Sequence, residues 1–359
     1  MDKKTITFAA IPMKNTLKKI TILTLVLLFL LYGCKSNDSQ NSLKLVKEVD
    51  FVLGTMGRIN VLSESEEDGR RAIAKAFDRV REIENKMSTS IAGSDVYLLN
   101  ENAGNNYITV DKETLYVINK GLEYYELTGG DFNISIGALI NLWGIGKTNK
   151  VPSQENIHAA MENIDINAIN IDNQSVRIDI PNVQIDLGGI AKGYAVDEAI
   201  KVLRENGIKS GLVDLGGDIY AFGKKADDSS WNVGIQDPEK GANPIASIPL
   251  TDKSIVTSGD YERFFMEDNI RYHHIIDPKT GYPVRNDLRS VTIISDLSID
   301  GDVLSTAVFI MGLEKGMSLI ESLDGVETLI ITNDKKIYTS SGLKDQLNIL
   351  NDSYEEREL

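Results

Sequence analysis

The chain has 359 residues and an ordinary globular composition, with 42% hydrophobic and 25% charged residues. This length is enough for one large domain or two small ones. The formal net charge of −15 argues against a nucleic-acid-binding surface, because a polyanion requires clustered lysine and arginine side chains. An anionic ligand would need local help from a metal ion, a helix N-terminus or a suitably placed lysine.

The N-terminal segment is predicted to be an export signal. Residues 13–34 have a basic start, an apolar centre and a small residue before Cys34. The segment Leu31-Tyr32-Gly33-Cys34 resembles a bacterial lipobox, with cleavage before Cys34 and lipid on its sulfur. A membrane-anchor helix is the alternative, since the apolar run is just long enough to cross a bilayer. Cys34 is the only cysteine, so it cannot form an internal disulfide.

These features divide the chain into four parts. Residues 1–33 are predicted as a lipoprotein signal peptide and residues 34–44 as a polar tether. Residues 45–345 are predicted as one domain, because no repeat or obvious linker interrupts them. Residues 346–359 are interpreted as a charged C-terminal tail that frays.

Hydrophobic periodicity predicts the elements of the domain in chain order. Residues 49–62 are predicted as one strand bent at Gly54 and Gly57. Helices are predicted at 64–87, at 111–128 with Asp111 as its cap, and from Pro152 to about Asn163. Later elements are short strands in 168–186, a helix from about Gly188 to Gly207, strands to about 295, a helical pair at 299–323 and a final hairpin.

Helices and strands are mixed without strict alternation, so the fold class is predicted as α+β, with mixed sheets and flanking helices. Glycine-rich connections lie between the apolar segments. They indicate a cleft that is lined by loops.

The stretch from Gln184 to Leu203 carries the strongest local signal. A strand stops at Asp186, and Gly188, Gly189 and Lys192 stand where a helix begins. Unpaired N–H groups at a helix start, glycines that admit a ligand and one lysine together suit a phosphate. An ordinary strand–turn–helix with glycine for packing is the alternative.

Three other segments carry polar groups next to predicted turns. A second Asp-Leu-Gly-Gly occurs at 214–217, and two histidines precede a turn that begins at Asp277. Asp302, Ser305 and Thr306 are predicted in the first turn of an apolar helix. They would either cap that helix or bind a hard cation.

Together these segments resemble the ApbE family, flavin transferases that move FMN from FAD onto a protein threonine. The matching segments are GTMGRINV, GGDFNISIGALINLWGIGK, IDLGGIAKGYAVDEA, GLVDLGGDIYAFG, VTSGDYERFF, HHIIDPKTGYPV and DGDVLSTAVFIMG. They occur in order from about Leu53 to Gly312. Seven ordered segments are far more specific than one glycine loop.

The resemblance implies FAD as substrate, Mg²⁺ as cofactor and an ApbE-like fold. The residues that it implies for FAD binding are Met56, Asp131, Phe132, Asn133, Asp186, Lys192 and Ile276. Those implied for Mg²⁺ are Asp302, Ser305, Thr306 and the carbonyl of Gly189. Two positions depart from some members, which have aspartate in place of Ser305 and tyrosine in place of Ser90.

The expected reaction breaks FAD between its phosphates, passes FMN to a hydroxyl and leaves AMP. Such a transfer depends on charge neutralisation and positioning. His274 is the candidate base, since an imidazole has a suitable unperturbed pKa. The expected partners are FAD, an acceptor protein such as a membrane redox subunit, and a bacterial membrane on its extracytoplasmic side. The alternatives are an FAD pyrophosphatase and a non-catalytic FAD-binding lipoprotein.

Overall fold

The structure, a computed structural model, describes residues 43–239, 241, 243–344 and 346–359. The predicted signal peptide, the lipidation site Cys34 and the tether up to residue 42 lie outside the described residues. In the described ranges, no helix is both long enough and apolar enough to cross a membrane.

The described residues include eight α-helices between residues 66 and 321. The helices are α1 (Glu66–Met87), α2 (Asp95–Glu101), α3 (Lys112–Leu127), α4 (Gly137–Trp143), α5 (Gln154–Met161), α6 (Ala191–Glu205), α7 (Ser298–Met311) and α8 (Leu313–Glu321).

The strands alternate irregularly with these helices. They are β1 (Lys44–Val52), β2 (Thr55–Ser63), β3 (Ile108–Thr109), β4 (Ile169–Asp172), β5 (Ser175–Ile178), β6 (Gly211–Leu215), β7 (Asp218–Phe222), β8 (Trp231–Ile235), β9 (Ala246–Leu250), β10 (Lys253–Gly259), β11 (Phe264–Glu267), β12 (Ile270–His273), β13 (Leu288–Ser295), β14 (Glu327–Thr332), β15 (Lys336–Thr339), β16 (Asn348–Ile349) and β17 (Glu355–Arg357).

A nine-stranded sheet forms the centre, in the order β1-β2-β6-β7-β10-β13-β14-β15-β17. Its neighbours are antiparallel except for the parallel pair β15–β17. Three small sheets accompany it: β16-β9-β8, β3-β5-β4 and β11-β12. The mixed sheets and flanking helices confirm the predicted α+β class.

The central sheet contributes residues to two clusters of buried apolar side chains. One joins buried residues of α1, α6 and α7 to the sheet, and the buried stripe of α6 that the sequence predicts is part of it. The other joins Trp231, Val233 and Ile248 of the small sheet β16-β9-β8 to residues of β10, β13, β14 and β15. Because it is buried on both faces, the sheet is a rigid base for loops that carry functional groups.

The two long helices near the N-terminus follow the prediction closely. Ser65 caps α1, and its side chain accepts the N–H of Asp68. Asp111 caps α3 as expected, accepting the N–H of Glu113. The 3.6-residue apolar period therefore predicted both helices correctly, and the cap Asp111 was predicted for α3.

The first strand prediction is wrong in one respect. Residues 44–63 form a hairpin of two strands, in which Val52 pairs with Thr55. Leu53 and Gly54 both have positive φ angles, 52° and 68°, which suits a two-residue hairpin turn. Leucine rarely adopts this conformation, so the sequence gives little sign of the turn.

The interpretation of residues 346–359 as a frayed tail is also wrong. Strand β16 pairs with β9, and β17 adds to the edge of the central sheet. Tyr354 is buried between them, and its hydroxyl donates to the carboxylate of Asp237 at 2.6 Å. One buried tyrosine thus anchors a segment whose charged residues suggest a solvated tail.

Candidate active site

A cleft of about 400 Å³ opens where loops from several elements meet. It is lined by most residues that the sequence predicts for the site, namely Asp131, Phe132, Asn133, Asp186, Gly189, Lys192, His274, Ile276, Asp302 and Thr306. These residues come from distant parts of the chain. The structure therefore brings the predicted segments into one place.

Two predicted residues are not among those that line the cleft. Met56 lies on β2 with 45% of its surface exposed, whereas its neighbour Thr55 does line the cleft. Ser305 is fully buried, and its hydroxyl donates to the backbone carbonyl of Asp302 at 3.1 Å. A direct role of these two side chains toward a ligand stays a prediction.

A cluster of three charged groups forms part of the cleft lining. The Nζ atom of Lys192 lies 2.8 Å from each carboxylate oxygen of Asp218 and 2.9 Å from Oδ1 of Asp302. Both aspartates are almost completely buried, while Lys192 keeps 24% of its side chain accessible. Lys192 is therefore an ion-paired group here and not a free cation that awaits a phosphate.

The pKa of Lys192 follows from this environment. Burial alone would lower it, but the carboxylates of Asp218 and Asp302 outweigh burial and raise the pKa above its ordinary value. Burial and the charge of Asp302 raise the pKa of Asp218, and the Lys192 ammonium opposes them. The ammonium remains protonated at neutral pH, so the cluster holds one cation between two acidic groups.

Helices α6 and α7 cross very closely at this cluster. A Cβ atom at Gly193 would lie 2.3 Å from the backbone carbonyl oxygen of Ser298, so only glycine fits. The close approach lets the Gly193 N–H donate to Oδ2 of Asp302 at 3.0 Å. Gly193 is thus needed for the crossing that places Asp302 beside Lys192.

The N-terminus of α7 settles one question that the sequence left open. The helix begins at Ser298, so Asp302 lies in its second turn and does not cap it. The side chain of Asp197 on α6 caps α7 instead, since it accepts the N–H groups of Ser298 and Ile299 at 2.8 and 3.0 Å. Asp302 is therefore free of a capping role and is directed toward the cleft lining.

The turn before α6 differs from the expected helix start. Residues 188–190 form a turn, and the helix begins at Ala191. Oδ1 of Asp186 accepts the Gly188 N–H at 2.7 Å, and burial raises the pKa of the Asp186 carboxyl. Two N–H groups near this helix start, those of Gly188 and Gly193, are thus already bound by carboxylates.

Part of the cleft lining is apolar. Phe132 is buried, and its ring lies 3.2 Å from the position of a Cβ atom at Gly189. Asp131 pairs with Lys279 at 2.7 Å, and Asn133 accepts the N–H of Ser135. The apolar residues of the cleft lining are Phe132, Ile136, Ile140, Ile145, Ile275, Ile276 and Ile310.

His274 lines the cleft close to Arg263, whose carbonyl accepts the His274 backbone N–H at 3.0 Å. Its Nδ1 atom is buried and has no hydrogen-bond partner within the described part of the chain. Burial, with a smaller effect of His273, lowers the pKa of His274 to about 3. The imidazole is therefore neutral at physiological pH, and the hydrogen-bonding capacity of its buried Nδ1 atom is unused among the described residues.

The group of oxygen atoms near Asp302 suits a hard cation. Thr306 lines the cleft, and Gly189 lies nearby, with its Cβ position 4.0 Å from Thr306 Oγ1. Carboxylate, hydroxyl and carbonyl oxygens are the ligands that Mg²⁺ prefers, and Mg²⁺ usually keeps several waters. In the part of the chain that the structure describes, no group of three or more His, Cys, Asp or Glu residues could hold a metal ion. Any site here would use one or two carboxylates.

Sequence reasoning missed two residues of the site. Asp218 directly follows the second Asp-Leu-Gly-Gly segment, in which the sequence indicates a turn but assigns no role to the next residue. Ser258 lines the cleft, with its hydroxyl 2.8 Å from that of Ser305 and 3.4 Å from that of Thr306. The only local signal for Asp218 is its position as an acidic residue directly after the Gly216–Gly217 turn.

The cleft combines an apolar wall with a lining of charged and hydroxyl groups. This combination is typical of an enzyme or binding site for a ligand that has both a ring system and an anionic group.

Comparison with known proteins agrees with this description. The model of the ApbE family matches residues 53–330. A Treponema pallidum (strain Nichols) protein named FAD:protein FMN transferase is 34% identical over 343 residues, covering 90% of this chain and 95% of that protein. A Klebsiella pneumoniae (strain 342) protein of the same name is 32% identical, covering 79% and 89%.

Solved structures give the same result. The flavin transferase ApbE from Vibrio cholerae has a TM-score of 0.77 and 30% identity, covering 85% of this chain and 99% of that one. The ApbE protein of Thermotoga maritima has a TM-score of 0.77 and 36% identity, covering 84% and 98%. The chain described here belongs to the ApbE family.

Proposed function

We propose that this protein is an FAD:protein FMN transferase, which moves FMN from FAD to a threonine hydroxyl of an acceptor protein and releases AMP. The observation that supports this most strongly is that nine residues implied by the family resemblance line one cleft, together with the candidate base His274. The apolar side of that cleft suits an isoalloxazine ring. The cluster around Asp302 suits the diphosphate and an accompanying cation.

In the transfer, one bond forms and one bond breaks at the FMN phosphorus. The acceptor oxygen bonds to the FMN phosphorus, the bridging P–O bond breaks, and the electron pair leaves with AMP. The acceptor hydroxyl must lose its proton to a base. The protein contributes mainly by positioning the groups and by balancing the charge that develops.

We propose Mg²⁺ as the cofactor, held by Asp302, Thr306 and the carbonyl of Gly189. When bound, the ion would neutralise charge on the diphosphate oxygens. Ser305 would act indirectly, since it hydrogen-bonds to the Asp302 carbonyl and to Ser258. The hydroxyl pair Ser258–Ser305 would then fix the backbone beside the cation ligands.

We propose His274 as the base. A base must be unprotonated before it acts, and burial keeps this imidazole neutral. An anionic diphosphate in the cleft would raise the pKa of an adjacent imidazole, because an anion stabilises the imidazolium form. Binding of FAD would therefore make His274 a stronger base at the stage where it is needed.

The first test is transfer itself. The protein is incubated with FAD, MgCl₂ and a candidate acceptor, and the intact mass of the acceptor is measured. We expect a mass increase equal to one FMN phosphoester, and AMP in equal amount. Asp302→Asn should lower the rate at least about a hundredfold, the scale for losing a charge-stabilising group in a transition state. EDTA should have the same effect on the wild type.

Asp300→Asn is the matched control, because Asp300 lies on the same helix but hydrogen-bonds to Tyr124 and does not line the cleft. Its rate should stay close to that of the wild type. Full activity in EDTA would contradict the role of the metal. Formation of free FMN and AMP with no labelled acceptor would identify a pyrophosphatase, and FAD binding without turnover would identify a binding protein.

The pH dependence tests the base. Because the pKa of His274 is lowered to about 3, its reactive neutral form persists as the pH falls, so kcat/KM should stay flat from about pH 8 to about pH 5. The acid limb of kcat should lie at higher pH than that of kcat/KM, since bound FAD raises the pKa. A His274→Gln variant with wild-type rate, or a kcat/KM limb near 6.5 in the wild type, would contradict this role.

We further propose that the protein is attached by lipid on Cys34 to the extracytoplasmic side of a bacterial membrane, where its acceptor is a membrane redox protein. The described domain begins at Leu43, nine positions after Cys34, so an extended tether would reach at most about 30 Å. Cys34→Ala should release the protein from the membrane fraction or leave its signal uncleaved. Unchanged fractionation and gel mobility would refute the anchor.

A further inference from the structure

Asp218 is the most buried carboxylate beside the cleft, with 1% of its surface exposed. It is the first residue of β7, directly after the turn Gly216–Gly217, in which both φ angles are positive. Both of its oxygens face the Lys192 ammonium at 2.8 Å. Asp218 is neither a proposed ligand of the cation nor the proposed base.

The hydrogen-bond capacity of Lys192 is limited to three N–H donors. Three carboxylate oxygens lie within reach, two from Asp218 and one from Asp302. With all three bonds formed, the ammonium has no donor left for a phosphate. A phosphate can therefore bind Lys192 only if one of these bonds breaks, and a cation on Oδ1 of Asp302 would compete with the ammonium for the charge of that oxygen.

We propose that Asp218 is a positioning residue that retains the Lys192 ammonium when Asp302 turns to a cation, and so sets the balance between cation binding and phosphate binding in this cleft. This inference rests on the proposed cation site at Asp302. Asp218 offers two oxygens to Lys192, whereas Asp302 offers one. The other oxygen of Asp302, Oδ2, accepts the Gly193 N–H. The ammonium can thus leave Asp302 and still keep two charged hydrogen bonds.

Loss of the Asp218 charge should have opposite effects on the two ligands. Without that charge, the only carboxylate left for Lys192 is Asp302, so a cation must compete with the ammonium for the same oxygen. A phosphate gains instead, because the ammonium is less neutralised and has a donor to offer.

The experiment compares the wild type with Asp218→Asn, which keeps the shape of the side chain. Mn²⁺ serves as a spectroscopic probe for Mg²⁺, since carboxylate and carbonyl oxygens suit both ions. Its binding is measured by electron paramagnetic resonance without FAD. FAD binding is measured by flavin fluorescence in EDTA. We expect Mn²⁺ to bind roughly tenfold more weakly and FAD several-fold more tightly, on the scale of one charged contact.

A second variant, Lys192→Met, provides the converse. Removing the ammonium leaves Oδ1 of Asp302 uncontested, so Mn²⁺ should bind more tightly than in the wild type and FAD in EDTA more weakly. In the Lys192→Met background, adding Asp218→Asn should change Mn²⁺ binding only slightly, because Asp218 acts through Lys192. A full tenfold loss in that background would make Asp218 a direct cation ligand and overturn the positioning role.

Asp237→Asn is the matched control, since Asp237 is a buried carboxylate whose partner is Tyr354 and which does not line the cleft. It should leave both affinities unchanged. Parallel weakening of both ligands in Asp218→Asn would indicate general damage and overturn the proposal. If Asp302→Asn weakens Mn²⁺ binding but Asp218→Asn does not, only the positioning role fails. If neither does, the proposed cation site itself is wrong.

Discussion

The contact of one ammonium with two buried carboxylates is the interaction on which the architecture of the cleft depends. Lys192 extends from the first turn of α6, Asp218 begins β7, and Asp302 lies in the second turn of α7. The three groups thereby join two helices and the central sheet at one point. Removing one partner of such a buried pair leaves an uncompensated charge, which typically costs about 3–5 kcal/mol.

The backbone provides a second constraint that makes this contact possible. At Gly193 the helices α6 and α7 are too close for any side chain, and the Gly193 N–H bonds Asp302 directly. Asp197, one turn further along α6, binds the first N–H groups of α7. Each helix therefore fixes the other, and Asp302 reaches the cleft in a defined orientation without support from loops.

An acidic protein that binds a diphosphate must limit repulsion between its ligand and its own carboxylates. Here the net charge is −15, and the acidic residues that line the cleft are Asp131, Asp186, Glu262, Asp218 and Asp302. Lys279 pairs with Asp131, and Lys192 pairs with the last two. A cation bound at Asp302 would leave the cluster with less negative charge at the moment when the diphosphate arrives, which gives the proposed metal dependence a physical basis.

The sequence predicted the elements whose signals are local. Periodic apolar residues predict helices α1 and α3, the latter with its cap Asp111, and ten of the predicted site residues line one cleft. What it could not predict depends on tertiary contact. The Leu53–Gly54 turn requires a leucine at positive φ, and the C-terminal strands depend on Tyr354 reaching Asp237. The pairing of Lys192 with Asp218 joins a helix to a strand, so no sequence period reveals it.

The most direct test of the central claim is a crystal structure of the protein with FAD and Mn²⁺, with the ion located by its anomalous scattering. The account predicts an anomalous peak in contact with Asp302 and Thr306, the diphosphate beside it, and Lys192 still hydrogen-bonded to Asp218. A peak elsewhere in the cleft, or a bound diphosphate held by Lys192 after it has left both carboxylates, would contradict the account.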